Sequence, residues 1–409
     1  MAGRPGRPRG GLATWVDDIY MCGDFFNEQQ WVGVSCNREG HVTQLNLTAL
    51  DITLRGGEGL QFFNVFAAIS NLTRMQSLVL SGVGLSGSLD SLQQPGLETF
   101  QDLGHLDISN NPGIRGGLPS AWFCLSALRT VNVSNTGVSG TLPNVYAALQ
   151  QLQEFSALNC SELSGQLPPA WGLLNLEVLE ITNSKLSGEL PREWTDAAAL
   201  RQAAAAAASS TLLDLVQWNG ASPQSKVAGE AVVQSLPQPA ARAGLAKLRV
   251  LDLSVSGSST GKISGSQLDN FSAFEQLQVL LLAGHNFSST LPPAWTRLQQ
   301  LRVLDVSHNS LTGSIPYVYI SMRQLAVLRV HNNQLVRAAG DLPDPWELML
   351  GDGSKLQCLS VAGNKELLVD EAAAARLIQK AAERGPPLPL EVNAPGSAAC
   401  NPTPWKRSS

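Results

Sequence analysis

The sequence predicts an α/β solenoid, a right-handed superhelix with a concave parallel β-sheet and an irregular or 3-10 convex side. Three observations predict this fold class. Apolar positions recur with a step of 24 residues, for example from Leu280 to Leu304 to Leu328. The repeats contain an LxL-type pair of apolar residues, and most pairs are followed by a turn, a glycine and a Leu-Pro or Ile-Pro step. Matches this frequent at one fixed period are typical of stacked repeats.

The repeat is clearest in LQQLRVLDVSHNSLTGSIP, which begins at Leu298 and fits the pattern LxxLxxLxLxxNxLxGxIP. The same frame recurs along the chain, with weaker terminal copies at Leu45 and Leu359. The first apolar residue of the LxL pair in the other copies is Leu78, Leu106, Val131, Phe155, Leu179, Leu251, Leu280 and Leu328. Strand side chains alternate between faces, so both apolar residues of LxL point inward. A single unit cannot bury that face, whereas a stack of units can.

Two further positions of the repeat are predicted to lie inside. The turn asparagine should bond backbone groups of its own and adjacent turns; it is present as Asn111, Asn309, Asn333 and Asn364. Other residues replace it elsewhere and are expected to weaken the ladder locally: Thr136, Cys160, Ser184 and His285. An aromatic follows the proline by three residues and should pack inside on the convex side rather than form a ligand platform. These aromatics are Trp122, Tyr146, Trp171, Trp194, Trp295, Tyr319 and Trp346.

The pattern divides the 409-residue chain into six segments. Residues 1–14 are expected to form a flexible basic tail, 15–40 an N-terminal cap, and 41–195 and 245–368 the repeats. Between the repeats, residues 196–244 contain six consecutive alanines and a Ser/Gln/Pro-rich run, which indicates either one disordered insertion or two decayed repeats. Residues 369–409 are read as a capping helix, from an N-cap at Asp370 to a stop at Gly385, and a tail.

Composition and motifs argue against several classes of function. The net charge is −5, without the concentrated basic face that nucleic-acid binding needs. No apolar run is long enough for a transmembrane helix, and the chain shows no secretory signal. Five histidines form no HExxH motif, and no GxSxG elbow or metal-spaced Cys/His cluster occurs. We therefore expect no catalytic residues, no metal, no cofactor and no enzymatic activity.

The segment CGDFFNEQQWVGVSCNREGHVTQLNL, with Cys22, Trp31, Gly33, Val34 and Cys36, resembles the amino-terminal cap of plant leucine-rich-repeat proteins. The LSGxLP and LTGSIP repeats resemble the same group, which includes receptor-like kinase ectodomains, receptor-like proteins and polygalacturonase-inhibiting proteins. The resemblance covers roughly residues 15 to 368. It implies a leucine-rich-repeat superhelix, a Cys22–Cys36 disulfide and an extracellular or cell-surface location.

The sequence departs from that group in three respects. The amphipathic helix before the cap tryptophan, the signal peptide, and the kinase domain with its membrane span are not found in this sequence. A rival interpretation is therefore an intracellular scaffold, or a structural protein of the cytoskeleton or ciliary axoneme.

Glycosylation and cysteine chemistry give further expectations. Six N-x-S/T sequons are candidate glycosylation sites: Asn46, Asn71, Asn132, Asn159, Asn270 and Asn286. Some of them, such as those in LNLT and VNVS, can also arise from the repeat pattern alone, without any role in glycosylation. Glycans on Asn46 and Asn132 would obstruct the concave face. Cys124 and Cys160 are expected to be small buried groups, and Cys358 and Cys400 are a second candidate disulfide pair.

The predicted function is a binding module that recognises a protein or peptide ligand with its concave face. The outward strand positions chosen as the candidate site are Asp107, Glu180, Asp252, Leu281, Asp305 and Arg329. Their mostly acidic character would favour a basic partner. Because the most regular repeats run from Leu251 to Leu328, we expect the partner to dock there, with Leu281 exposed between Asp252 and Asp305. The alternative is that these acids are a solvated face.

Overall fold

A computed structural model describes residues 33–48, 60–90, 99–196, 198–203, 245–256, 261–338, 349, 355–364, 367 and 390–391. The chain forms two compact units. The first unit comprises Met1–Leu163 with Gln202–Gln238, and the second comprises Ser164–Arg201 with Pro239–Ser409.

Short strands dominate both units. Those of the first unit are β1 (Val34–Cys36), β2 (Val42–Asn46), β3 (Leu60–Gln61), β4 (Ser77–Val79), β5 (Leu85–Ser88), β6 (His105–Asp107), β7 (Gly113–Gly117), β8 (Thr130–Asn132), β9 (Gly137–Thr141) and β10 (Glu154–Leu158). There follow β11 (Glu162–Gly165), β12 (Val178–Thr182), β13 (Lys185–Leu186), β14 (Gly188–Glu189), β15 (Val250–Asp252), β16 (Ile263–Gly265), β17 (Val279–Leu281), β18 (Asn286–Phe287), β19 (Val303–Asp305), β20 (Val327–Arg329), β21 (Cys358–Ser360) and β22 (Leu390–Glu391).

Helical segments lie opposite these strands within each repeat. The α-helix α1 spans Phe62–Ile69 and buries Phe62, Val65, Phe66 and Ile69. Residues 198–203 are also helical. The described 3-10 helices are Ser120–Cys124, Asn144–Ala148, Pro169–Leu173, Arg192–Trp194, Leu268–Ala273, Pro293–Arg297 and Tyr317–Ser321. Most follow a proline in extended conformation, whose missing N–H and fixed φ suit the residue before a tight helical turn.

The LxL pairs form the concave sheets, as predicted. In the first unit β2, β4, β6, β8 and β10 are parallel neighbours, and β1 pairs antiparallel with β2. In the second unit the order is β12, β15, β17, β19, β20, β21 and β22, all parallel. The register aligns Leu251 with Leu280, Leu304, Leu328 and Leu359. These leucines are almost fully buried, so the core lies behind the concave sheet.

One pairing bears on the interruption in the repeats. β12 pairs directly with β15, so that Leu179 lies beside Leu251 although 72 residues separate them. No further strand therefore lies between these two in the concave sheet. Whether residues 196–244 are one insertion or two decayed repeats stays a prediction. Residues 204–244 themselves lie outside the described part of the chain, as do the proposed capping helix at 370–385 and the basic tail.

The aromatic row is buried, as predicted, at every described position: Trp122, Tyr146, Trp171, Trp194, Trp295 and Tyr319. Trp346 lies outside the described residues. Four of them donate to backbone carbonyls of the preceding repeat: Tyr146, Trp194, Trp295 and Tyr319. Tyr146 and Tyr319 donate their hydroxyls to the carbonyls of Pro119 and Pro292, each at 3.0 Å. Burial raises the pKa of both phenols well above 10.0, so they remain donors.

The turn asparagines make the bonds that the sequence predicts. Asn309 Nδ2 donates to the carbonyls of Leu282, Val306 and Ser307, and its Oδ1 accepts from Phe287 N–H at 3.1 Å. These bonds satisfy backbone groups that would otherwise be buried without partners.

The residues that replace the turn asparagine make some of the same hydrogen bonds. Thr136 and Cys160 both donate to the Val133 carbonyl, and His285 bonds the Leu253 carbonyl. The expected weakening at these positions is therefore partial, because a hydroxyl, thiol or imidazole supplies a donor where the amide would stand.

A second ladder runs beside the buried one and was missed by the sequence analysis. Asn110, Asn135 and Asn159 each adopt a left-handed backbone, with φ of 58°, 55° and 56°. Asn159 Nδ2 donates to Asn135 Oδ1 and Asn135 Nδ2 to Asn110 Oδ1, both at 2.8 Å. Asparagine tolerates this conformation better than most residues. In successive repeats an asparagine directly precedes the buried turn residue, and this recurrence in the sequence could have revealed the ladder.

Candidate ligand-binding face

Two parallel rows of side chains cross the concave face of the second unit. The first, called here the valine row, consists of Val178, Val250, Val279, Val303, Val327 and Cys358. The second, called the charged row, consists of Glu180, Asp252, Leu281, Asp305, Arg329 and Ser360. Register pairing places each residue beside the same position of the next strand, roughly 4.8 Å away. Five of the six predicted site residues therefore lie side by side.

Burial on this face differs from the expectation. Leu281 is 4% exposed, so the prediction that it is exposed is wrong. It belongs to a hydrophobic cluster with Val279, Val303, Val327 and Cys358, against which Val250 packs. Glu180, Asp252 and Asp305 are also buried, and Arg329 is half-buried. The sequence could not show this, because alternation gives the face on which a side chain lies and not what covers it.

Hydrogen bonds fix the acidic side chains along the charged row. Asp305 Oδ1 accepts from the backbone N–H of Ser307 at 3.0 Å and from its hydroxyl at 2.6 Å. Asp252 makes the same pair of bonds with Ser254. Asp305 Oδ2 also lies 3.4 Å from Arg329 Nη1, in an ion pair whose side chains are 8% and 16% exposed. The buried acidic side chains are therefore held in fixed positions, with one basic group, Arg329, at the C-terminal side of the row.

The corresponding row of the first unit is more open and less charged. It contains Asn46, Val79, Asp107, Asn132 and Ser156. Asn132 Nδ2 donates to Asp107 Oδ2 at 3.3 Å, so the predicted site residue in this unit is already paired with a sequon asparagine. Asn46 is exposed and Asn132 half-buried, which places both on the concave face as predicted.

The four remaining sequons lie elsewhere. Asn71 follows α1 and is exposed, and Asn286 is exposed in β18. Asn159 belongs to the exposed asparagine ladder. Asn270 is half-buried and donates to Gln267 Oε1 at 3.3 Å. Whether any of the six carries a glycan remains a prediction.

Two of the four described cysteines are in disulfides. Cys36 and Cys358 are disulfide-bonded, whereas Cys124 and Cys160 are free. Cys160 is buried as expected, and burial raises its pKa, while Cys124 is half-buried. Cys22 and Trp31 lie outside the described residues, so the Cys22–Cys36 pairing stays a prediction that the bonded state of Cys36 supports.

Two other places in the second unit merit comparison with the concave face. His308 and His331 stack edge-to-face with centroids 4.9 Å apart, but the described residues contain no group of three or more metal-ligating side chains. A polar groove of about 470 Å³ lies on the convex side, lined by Arg192, Thr195, Asp196, Gln267, Asp269 and Asn270 among others.

Four features together define a leucine-rich-repeat solenoid: stacked 24-residue repeats, an inner parallel sheet, buried turn asparagines and proline-led 3-10 helices. The repeat sequences are similar to those of the plant type. The family model described as Leucine Rich Repeat matches residues 300–321. A receptor-like protein kinase, HAIKU2 of Arabidopsis thaliana, is 27% identical over 183 residues, which are 44% of this chain and 18% of the relative.

A solved structure with a similar fold supports this assignment. The ectodomain of the receptor kinase GASSHO1/SCHENGEN3 from Arabidopsis thaliana, in complex with CASPARIAN STRIP INTEGRITY FACTOR 2, aligns with a TM-score of 0.56 and 22% identity. That alignment covers 82% of this chain and 35% of the receptor. The chain thus spans about a fifth of the curated relative and about a third of the receptor ectodomain. Within the described residues, no helix is long and apolar enough to cross a membrane.

Proposed function

We propose that this protein is a non-catalytic binding module that recognises a peptide or protein segment with the concave face of its second unit, in a receptor-like or defence role. The observation that carries the proposal is the charged row, Glu180 to Ser360, lying in register beside the valine row. The two rows place apolar side chains and hydrogen-bonded acidic groups next to each other on the same few strands. Structural likeness to a receptor ectodomain in complex with another factor supports a recognition role.

The chemistry of the face indicates the ligand. Glu180 and Asp252 begin the charged row, and Asp305 already pairs with Arg329. A ligand segment with a Lys or Arg beside an apolar residue would place its charge near Glu180 and Asp252 and its apolar group on the valine row. Electrostatic complementarity of this kind speeds association and selects among partners, and it weakens as salt screens the charges.

We further propose an extracellular or cell-surface location. Disulfides persist in oxidising compartments and are rare in the cytosol, and both Cys36 and Cys358 are disulfide-bonded. An intracellular scaffold or axonemal protein is the alternative. Blocked thiols at Cys36 and Cys358 in protein purified without reductant support the extracellular location, and free thiols there would support the scaffold.

A peptide array tests the binding function. The full chain is applied to synthetic linear peptides that carry Lys or Arg beside an apolar residue, and to the same peptides with Gln in place of the basic residue. We expect the basic set to bind preferentially and the preference to fall when salt is raised.

The matched variant combines Glu180→Gln with Asp252→Asn, and Glu275→Gln serves as the control because Glu275 is an exposed acid outside both rows. The variant should lose the preference and the control should keep it. Equal binding of both peptide sets, or an unchanged preference in the variant, would contradict the proposed ligand chemistry.

A further inference from the structure

Exposed basic side chains line the edge at which the concave strands of the second unit begin. Arg249 and Arg302 immediately precede β15 and β19, and the turns that lead into β15, β20 and β21 carry Lys247, Arg323 and Lys355. All five residues are exposed. They are called here the basic edge.

Backbone hydrogen bonds hold the basic edge in register. The N–H of Gln278 donates to the carbonyl of Arg249, and the N–H of Arg302 donates to the carbonyl of Gln278, both at 2.8 Å. The N–H of Ala326 donates in turn to the carbonyl of Arg302 at 2.8 Å. Adjacent positions along the edge are therefore separated by the strand spacing of about 4.8 Å. Because stacking brings these residues together, the linear sequence shows no basic cluster here.

The basic edge carries an excess of positive charge. Its five basic residues stand against two acids at the same positions of the stacked repeats, Glu177 and Glu275, which leaves a net charge of +3. Glu177 lies 3.7 Å from Arg249 in an exposed ion pair. Lys247 and Arg302 have no side-chain partner in the part of the chain that the structure describes. Their charges are therefore available to a ligand.

The corresponding edge of the first unit is nearly neutral. Its described basic residues are Arg74 and Arg129, and Arg74 is paired with Asp102 at 3.5 Å. The positive excess thus belongs to the unit that also carries the charged row.

The valine row separates the basic edge from the charged row, and it is open at one end. Val178 and Val250 are half-buried, whereas the row from Val279 onward is buried. Register pairing sets Val178 directly beside Val250. Each of these two valines lies between an edge position and an acid of the charged row, as Val250 does between Arg249 and Asp252.

An extended peptide fits this arrangement of two charged lines with open apolar surface between them. Successive side chains of an extended segment point to opposite sides of its backbone. A segment that crosses β12 and β15 above Val178 and Val250 would direct one side chain to the basic edge and the next to the charged row. The edge and the row are three residues apart along each strand, which is about 10 Å. Two long side chains on opposite sides of one backbone can span that distance.

We propose that the basic edge binds an Asp or Glu side chain of the ligand, so that the recognised segment carries an acidic residue directly next to its basic residue. This inference rests on the proposed function, which supplies the basic residue of the ligand, and adds the acidic one. Guanidinium groups bind carboxylates through two parallel hydrogen bonds, and exposed lysines contribute a mobile positive charge. The ligand is accordingly a segment with both charges and little net charge.

Synthetic linear peptides with amidated C-termini test this, because their only carboxylates belong to side chains. One set carries adjacent acidic and basic residues beside an apolar residue, a second has Gln for the acid, and a third has Gln for the base. We expect the acidic residue to raise the affinity for the full chain about two- to fivefold at low salt, the range of an exposed ion pair. Equal affinity with and without the acidic residue overturns the proposal.

A pair of double variants locates the contact. Lys247→Gln with Arg302→Gln should abolish the preference for acidic peptides. Arg201→Gln with Arg297→Gln removes the same charge from exposed positions outside the basic edge and should keep the preference. In Arg302→Glu, peptides with Lys in place of the acid should bind more tightly than the acidic set. A preference that persists in the edge variant, or that is lost equally in the control, overturns the proposal.

The two halves of the ligand are scored separately. If the acidic residue raises affinity through the basic edge while the basic residue has no effect, the edge contact stands and the proposed function of the charged row fails. If only the basic residue matters, the edge contact fails and the charged row stands. Heparin, a linear polyanion, supplies the last comparison. Heparin binding that requires Lys247 and Arg302, together with no preference for acidic peptides, would assign the edge to a polysaccharide and overturn the proposal.

Discussion

The imidazole of His285 is hydrogen-bonded to the carbonyl oxygen of Leu253, with 2.6 Å between Nε2 and that oxygen. Because a carbonyl only accepts, Nε2 carries the proton, and Nδ1 accepts from the backbone N–H of Ile263 at 3.2 Å. The ring is therefore neutral and takes the part that the amide of Asn309 plays in the next repeat. Burial lowers the pKa of His285 to about 4, with the nearby charge of Lys262 acting in the same direction.

The buried imidazole makes stability depend on pH. Between about pH 6.5 and pH 4 the unfolded chain protonates His285 and the folded chain does not. The free energy of unfolding should therefore fall with decreasing pH, by about 2–3 kcal/mol from this residue. In His285→Asn the amide reproduces both bonds without titrating, so this part of the pH dependence should disappear. Urea unfolding of both proteins at about pH 7.5 and about pH 4.5 measures this change in the free energy of unfolding.

His308→Asn serves as the control, because His308 is an exposed residue of the strand-to-turn segment. His285→Ala at neutral pH should cost about 2–4 kcal/mol, since two buried backbone groups lose their partner. A pH dependence in His285→Asn equal to that of the unmodified chain would contradict the assignment of a neutral buried ring.

His285 also shows how far sequence reasoning reaches. The repeat period located the strand, the turn and the inward direction of Leu280, because alternation and stacking are local consequences of the pattern. It placed Leu281 correctly in the charged row but not its burial, because the period does not show which neighbouring side chains pack against that residue. The exposed ladder through Asn135 was missed, because a left-handed turn residue is not constrained by the hydrophobic period.

Two tryptophans of the aromatic row should respond differently to the same substitution. Trp295 Nε1 donates to the Leu268 carbonyl at 2.8 Å, whereas Trp122 Nε1 is buried without a hydrogen-bond partner in the described part of the chain. Both lose similar apolar contact on replacement by Phe. Trp295→Phe additionally removes a buried hydrogen bond and should cost about 1 kcal/mol more than Trp122→Phe, which removes an unpaired donor. Denaturant unfolding of both variants measures this difference in the free energy of unfolding. Equal losses of stability in the two variants would contradict the prediction.

Glycan occupancy should differ among the sequons if the protein is produced through a secretory pathway. Asn71 and Asn286 are exposed away from the concave sheet and should be occupied. Asn132 and Asn159 donate their side-chain nitrogens to Asp107 and Asn135, so a glycan there would remove a native hydrogen bond. We expect these two to be largely unmodified. Mass spectrometry of glycopeptides measures the occupancy of each sequon. High occupancy at Asn132 in folded protein would contradict the prediction.

The ion pair between Asp305 and Arg329 should be asymmetric in its effect on stability. Arg329 Nη1 depends on Asp305 Oδ2 at 3.4 Å, and Arg329 Nε is buried without a partner in the regions that the structure describes. Asp305→Asn keeps the acceptor for Ser307 but leaves the guanidinium without its counter-charge, at a cost of about 2–3 kcal/mol. Arg329→Met removes the partly buried charge and leaves Asp305 bonded to Ser307, so it should cost about 1 kcal/mol or less.

The double variant, Asp305→Asn with Arg329→Met, isolates the pair. It should recover most of the stability lost in Asp305→Asn, because no charge is left buried without a partner. The exposed pair of Arg249 and Glu177, 3.7 Å apart, supplies the control, and Glu177→Gln should change stability by about 0.5 kcal/mol or less. Urea unfolding of the four variants measures these differences. Equal losses in Asp305→Asn and Arg329→Met, without recovery in the double variant, would mean that the pair is solvated and that the charged row is not preorganised.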